Sequence, residues 1–323
     1  MQYRVLGRTG VRVSELCLGT MTFGAEADAR ESAAMYNAAR DRGINFFDCA
    51  NSYVGGRSEE ILGKLVAGHR DEVIVTTKTF NSIGKDANAQ GSSRVHLRRA
   101  VEQSLKRLGT DRIDVLFMHR FDDLTPLEET LRGLEDLVRA GKLLYPGASN
   151  FAAWQVTKAL GIAERHDWSR FEVMQPMYNL VKRQAEVEIL PMAASEEVGV
   201  ISYSPVGGGL LSGKYGVDKR PNNARLVDNK MYAKRYREDW SYETAEQFTA
   251  LANARGIHPV SLAVAWVNAH PQITAPIVGA RSVEQLGPSL DATEVPMDDE
   301  LYAAVTDLSR TPPPATDRLE TQA

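Results

Sequence analysis

Eight short apolar runs recur along the chain, each followed by a longer segment whose hydrophobic residues return every three or four positions. The runs are ELCLGT (15–20), INFFD (44–48), VIVTTK (73–78), IDVLFMH (113–119), LLYPGASN (143–150), FEVMQ (171–175), GVISYSP (199–205) and APIVGA (275–280). Short runs rich in Val, Ile and Phe suit strands buried on both faces, and the spaced segments suit amphipathic helices. Leu97, Val101, Leu105 and Leu108 trace one helical face ahead of Gly109. Leu127, Leu131, Leu134 and Val138 trace another ahead of Gly141. Asp28 with Glu31 forms a capping-box signal for a helix that Gly43 closes. Thr125 with Glu128 repeats the signal, Thr125 as N-cap and Pro126 at the first helical position. Eight strand–helix units predict an α/β fold, the closed parallel (β/α)8 TIM barrel. An open doubly wound sheet competes, but no glycine-rich dinucleotide fingerprint follows the first run.

Three segments depart from the alternation. YRVLGRTGVRVSE (3–15) predicts a β-hairpin turning at Thr9-Gly10, suited to plug the barrel floor. Residues 210–240, after the seventh run, form a long polar loop rich in Lys, Arg and Asn, placed to cover the barrel mouth as a lid or to run as a solvated excursion. The tail TPPPATDRLETQA (311–323) is Pro-rich and polar, which predicts poor order beyond a barrel domain spanning 1–310.

Chemistry concentrates at the run ends. Asp48, Tyr53, Lys78 and His119 stand at or just past the C-terminal ends of three successive runs. In a parallel barrel these ends meet at the mouth where such barrels keep their active sites. Carbonyl reduction needs a hydride on carbon and a proton on the developing alkoxide. A phenol with a pKa near 10 is a poor acid unless a neighbouring ammonium stabilises its phenolate. Asp48 would hold Lys78 charged, and neutral His119 would orient the substrate oxygen or share in the proton transfer. Taken singly, a strand-end Asp reads equally as a cap and a Tyr as packing; the joint placement favours the chemistry.

The quartet in these contexts resembles the catalytic tetrad of the aldo-keto reductases. SEEILGK (58–64), TPLEETL (125–131) and MYNLVKR (177–183) resemble the long-chain branch that includes bacterial general aldo/keto reductases and potassium-channel β subunits. The resemblance implies an enzyme that interconverts a small-molecule carbonyl and alcohol with NADP(H). Its second implication is a nucleotide-binding regulatory subunit like the channel β subunits. Ser149, Asn150 and Gln175 offer donors and acceptors for a nicotinamide carboxamide, and Tyr203 resembles the family's ring-stacking aromatic. Gly19, Thr20, Met21 and Asp48 complete the implied nicotinamide end. SPVGGGLLSGKY (204–215) resembles the pyrophosphate loop, with Ser204, Pro205, Val206, Gly207, Leu210, Ser212, Gly213 and Lys214 as implied contacts. Gly279, Ala280, Arg281 and Ser282, with Gln285 and Ser289, stand where the family holds the adenosine 2′-phosphate. Two places depart from the pattern. Pro288 and Ser289 replace the Glu and Asn that many relatives set against the adenine, and Val54 follows Tyr53 where Gly is common.

Composition narrows the partners. The 323 residues are 43% hydrophobic and 25% charged, ample for a large core. A net charge of −4 argues against nucleic acid and anionic membranes as partners. No apolar stretch approaches the roughly 20 residues of a spanning helix. The first sixteen residues lack a secretory apolar core, and Cys17 and Cys49 lie inside apolar runs, so the chain reads as cytoplasmic and without a disulfide framework. Only His119 of six histidines ends a run, which leaves no metal cage. Met21, Phe80, Phe121 and Trp240 are candidates to line a substrate pocket. The substrate and the oligomeric state are not legible.

Overall fold

The computed structural model describes residues 1–82, 84–222, 225–316, 318 and 320. A hairpin of β1 (Tyr3–Val5) and β2 (Arg12–Ser14) precedes a closed parallel barrel. The barrel strands are β3 (Cys17–Gly19), β4 (Phe46–Asp48), β5 (Ile74–Thr79), β6 (Ile113–Met118), β7 (Leu143–Ser149), β8 (Val173–Gln175), β9 (Gly199–Ser202) and β10 (Ala275–Val278). Each pairs with its chain neighbour, and β10 closes the ring against β3. Every predicted run supplies one strand. The helices are α1 (Ala29–Asp41), α2 (Arg57–Val66), α3 (Arg94–Leu108), α4 (Leu127–Arg139), α5 (Ala153–His166), α6 (Ile189–Ser195), α7 (Arg225–Asp228), α8 (Lys230–Arg235), α9 (Asp239–Ala254), α10 (Pro259–Ala269), α11 (Val283–Leu290) and α12 (Asp299–Thr306).

Two apolar cores follow from this closure. Phe46, Val115, Phe117, Val173 and Ile201 fill the barrel interior, while a larger shell packs strands against helices. Gly147 faces the Phe117 ring so closely that a Cβ there would lie 2.7 Å from a ring carbon, so β6 and β7 approach only with glycine. Leu6 and Val13 of the hairpin are fully buried in the interior core. Gly7, at φ +55°, abuts the start of β9, where a Cβ would fall 2.6 Å from the Gly199 nitrogen. The hairpin therefore seals the N-terminal end of the barrel and leaves the opposite end for chemistry.

Local signals fared unevenly. Asp28 caps α1 through its carboxylate, which accepts from the Glu31 amide at 2.8 Å. The Glu31 side chain instead accepts from the Val283 amide at 2.7 Å, tying α1 to α11. The expected box at Thr125 is not formed. Pro126, with extended backbone, is the N-cap of α4, because the Thr125 hydroxyl donates to Asp122 at 2.7 Å. The 210–240 stretch is not a plain loop, since it carries α7, α8 and the start of α9; its residues 223 and 224 lie outside the described residues. Of the tail, residues 311–316 take no helix or strand, and the order expected to fail at 317, 319 and 321–323 concerns positions outside the described residues. No helix among the described residues is long and apolar enough to cross a membrane.

Candidate active site

The barrel register brings the four run-end residues together. Asp48 closes β4 opposite Thr76, and Lys78 lies on β5 beside Phe117 of β6. The Lys78 ammonium is fully buried and donates to Asp48 Oδ2 at 2.6 Å, to the Cys49 carbonyl at 2.7 Å and to the Tyr53 hydroxyl at 3.2 Å. Asp48 Oδ1 accepts from Thr76 Oγ1 at 2.7 Å and Gln175 Nε2 at 2.8 Å, so its carboxylate is fully engaged. Burial works against the charged ammonium, but Asp48 wins and holds its pKa above the ordinary lysine range. Burial pushes Tyr53 up to about 12, with Lys78 pulling in the opposite direction. Tyr53 is thus a phenol at neutral pH, with a cation beside its oxygen.

His119 follows β6, its ring edge-on to Tyr53 with centroids 6.3 Å apart. Burial, with Lys78 and Arg120 adding repulsion, drops its pKa to about 3, so the imidazole is neutral. Asn81, three residues past Lys78, presents its side-chain nitrogen to His119 Nδ1 at 3.2 Å and to Ser52 Oγ at 3.3 Å. An amide nitrogen only donates, so Nδ1 accepts and Nε2 carries the proton. Asn150 Nδ2 donates to the His119 carbonyl at 2.9 Å, and its Oδ1 accepts from the Tyr203 hydroxyl at 2.7 Å. Asn150 and Ser204 both adopt left-handed backbone, φ 56° and 61°, at the C-terminal ends of β7 and β9. Such strain gathers where side chains must be aimed.

A cavity of about 1110 Å³ opens over these groups. It reaches from Tyr53, His119 and Gln175 to Arg281 and Ser289, and it exceeds the common range for a single small ligand. Of the candidate cofactor residues, Gly19, Met21, Asp48, Ser149, Asn150, Gln175, Tyr203, Ser204, Pro205, Val206, Ser212, Lys214, Gly279, Ala280, Arg281, Gln285 and Ser289 line it. Thr20, Gly207, Leu210, Gly213 and Ser282 do not. Thr20 bonds the Asp48 carbonyl from below, Leu210 is core, and Ser282 caps α11 by accepting from the Gln285 amide. Met21 lines the cavity, whereas Phe121 packs on Phe151, Phe80 lies under Arg120 and Trp240 lies under Arg310.

A model of the aldo/keto reductase family matches residues 15–310. The chain belongs to the aldo/keto reductase family. It is 39% identical over 319 residues to an uncharacterized oxidoreductase, YrpG, of Bacillus subtilis, covering 95% of this chain and 96% of that one. It is 37% identical over 302 residues to a probable voltage-gated potassium channel subunit beta of Oryza sativa subsp. japonica, covering 91% and 92%. A versiconal hemiacetal acetate reductase of Aspergillus parasiticus is 32% identical over 328 residues, covering 93% and 94%. Family membership makes this aldo/keto reductase an oxidoreductase. Its Val54 adopts φ 50°, ψ 40°, and Gly55 and Gly56 continue with positive φ. A β-branched residue is strained there, which is the physical reason a glycine is common after the tyrosine. Asn81, Ser52, Tyr232 and Arg235 escaped the sequence reading. Asn81 offered one signal, its place three residues beyond Lys78, and the α8 pair offered none beyond a basic stretch.

Proposed function

We propose that this protein reduces aldehydes or ketones to alcohols with NADPH, Tyr53 delivering the proton. The observation that carries the reading is the Tyr53 hydroxyl held 3.2 Å from a buried, carboxylate-anchored ammonium at the cavity wall. The residues present fit the cofactor. Lys214 and Arg281 offer charge for its phosphates, and Tyr203, Ser149 and Asn150 line the opposite end. Gln175 spends its amide nitrogen on Asp48, leaving its oxygen to accept from a carboxamide. Bound there, the nicotinamide supplies the hydride.

The chain supplies everything else. The carbonyl oxygen sits between the Tyr53 hydroxyl and His119 Nε2–H, both donors in this protonation state. As negative charge grows on that oxygen, Tyr53 passes its proton and its own oxygen becomes anionic beside Lys78. Asp48 keeps the ammonium charged and aimed throughout. Residues 1–310 are assigned as the catalytic unit. The buried proton donor and the relatives named as oxidoreductase and reductase support turnover, and the regulatory alternative is not favoured. The test follows NADPH absorbance over a panel of aldehydes and ketones, in the native protein and in Tyr53→Phe. Turnover that survives the substitution would remove Tyr53 from the mechanism.

A further inference from the structure

The lid carries more positive charge than the cofactor reading uses. Residues 210–237 hold eight Lys and Arg against two Asp, in a chain whose net charge is −4. Lys214 and Arg281 serve the phosphate end of the cavity. Arg235, the last residue of α8, also lines the cavity, near Tyr203. Its neighbours fix that place. The Tyr232 ring lies 5.2 Å from its guanidinium, and its charge acts on Tyr203 against the effect of burial. Tyr203 in turn bonds Asn150, which holds the His119 carbonyl.

α8 is docked, so Arg235 is aimed. Tyr232 rests on Gly208, where a Cβ would fall 2.7 Å from a ring carbon. Tyr236 is fully buried, and its hydroxyl accepts from Asn179 Nδ2 at 3.2 Å. Asn229 caps the helix, accepting from the Met231 and Tyr232 amides. Within this frame Arg235 forms no ion pair among the described residues. The nearby acid Glu238 pairs with Arg237 at 3.0 Å, and Lys182 has its pKa lowered by burial, with Glu238 opposing and Arg235 adding to the shift. Apart from the fully engaged Asp48, Glu284 is the only carboxylate lining the cavity among the described residues. A half-buried guanidinium without a counter-ion, lying over an aromatic ring, is a prepared receptor for a planar oxyanion.

We propose that Arg235 is a carboxylate-binding subsite, so that the preferred substrates are carbonyl compounds that also carry a carboxylate. The proposal rests on the reductase reading. Lys214 and Arg281 are assigned to the cofactor's phosphates, and the substrate is the remaining anion for Arg235 to hold. The fork of Arg235 donates two hydrogen bonds to the carboxylate and turns the carbonyl toward Tyr53.

The test compares 4-formylbenzoate with its methyl ester, NADPH in excess, and reads the ratio of kcat/KM. The native protein should prefer the acid by ~10- to 100-fold, the value of a charge-assisted hydrogen-bonded contact. Arg235→Gln should bring the ratio close to one, Arg235→Lys should keep part of it, and Lys234→Gln, on the exposed face of the same helix, should leave it in place. Equal use of acid and ester by the native protein overturns the subsite while leaving the reductase reading intact. So does a ratio that Arg235→Gln leaves unchanged or that Lys234→Gln lowers equally. A loss of NADPH affinity in Arg235→Gln, titrated by fluorescence, would overturn it by assigning the residue to the cofactor. Turnover of neither aldehyde would sink the reductase reading and the subsite with it.

Discussion

Replacing Asp48 by Asn tests the buried pair from both the folding and the chemical side. The side chain keeps its size, yet no orientation of the new amide satisfies its neighbours. With its oxygen toward Thr76 and Gln175, its nitrogen faces the Lys78 ammonium across 2.6 Å, donor against donor. Flipped, its nitrogen faces the Gln175 amide nitrogen across 2.8 Å instead. In the first orientation Lys78 keeps only the Cys49 carbonyl and the Tyr53 hydroxyl, and in the second it adds only a neutral amide oxygen, so either way no charged partner remains. Breaking one side of a buried pair typically costs about 3–5 kcal/mol, and that loss is expected in urea unfolding at pH 7. Asp48→Asn with Lys78→Met should lose less than the sum of the two single losses by at least ~2 kcal/mol, because it removes the stranded charge. The pH dependence has a definite sign. In the native protein the raised Lys78 pKa contributes stability in full below the ordinary 10.5, lost only as pH climbs through the folded value. In Asp48→Asn burial, the largest effect on Lys78, is opposed only by Tyr53; the folded pKa is then expected to drop below 10.5, and stability to rise with pH across that interval. The variant's deficit should therefore narrow between pH 7 and about pH 10. A loss under ~1 kcal/mol, constant with pH and additive with Lys78→Met, would refute the coupling.

Four further outcomes follow from the same geometry. Tyr53→Phe should cut carbonyl reduction by ~10²–10⁴-fold and leave NADPH affinity, measured by fluorescence titration, unchanged. Reduction should be flat across neutral pH, since Tyr53 keeps its proton up to about 12 and His119 stays neutral down to about 3. Alcohol oxidation, which needs the phenolate, should rise with pH; a reduction inflection near 6.5 that disappears in His119→Asn would contradict the neutral imidazole. Val54→Gly should raise stability by ~0.5–1 kcal/mol, the relief of left-handed backbone less the added freedom of the unfolded chain, and an unchanged or lower Tm counts against it. Arg281→Ala should weaken NADPH by ~10- to 100-fold and spare NADH, whereas equal losses would mean that Arg281 does not read the 2′-phosphate.

The barrel was legible because its strands are buried on both faces and so appear as unbroken apolar runs between periodic helices. α7 and α8 were not, for they span four and six residues in a polar stretch and owe their place to tertiary contacts, Tyr232 on Gly208 and Tyr236 on Asn179. Thr125 failed as a cap for a similar reason, since a carboxylate three residues back claimed its hydroxyl. At the site, strand ends fixed Asp48, Tyr53, Lys78 and His119 together, and the barrel register preserved that grouping. The layer behind them was hidden. Thr76 and Gln175 on Asp48, and Asn81 on His119, are pairings across 28, 127 and 38 residues that no local pattern announces.

Tyr53 is where residue chemistry and structure diverge most usefully. An adjacent ammonium predicts an acidified phenol, but burial outweighs Lys78 and lifts Tyr53 to about 12. On the proposed chemistry this is no handicap. A donor in reduction must hold its proton in the ground state, and about 12 ensures that it does. Lys78 acts on the charge that forms when the proton leaves, so its stabilisation is realised as the transition state develops and adds little to substrate binding. Asp48 then has a role distinct from acidity: by sharing Lys78 with Thr76 and Gln175 in reach of the same carboxylate, it fixes the ammonium before charge develops. Preorganisation of that kind costs nothing further during the reaction. It also makes the relay intolerant of an isosteric amide, and for that reason Asp48→Asn should damage turnover as severely as Lys78→Met.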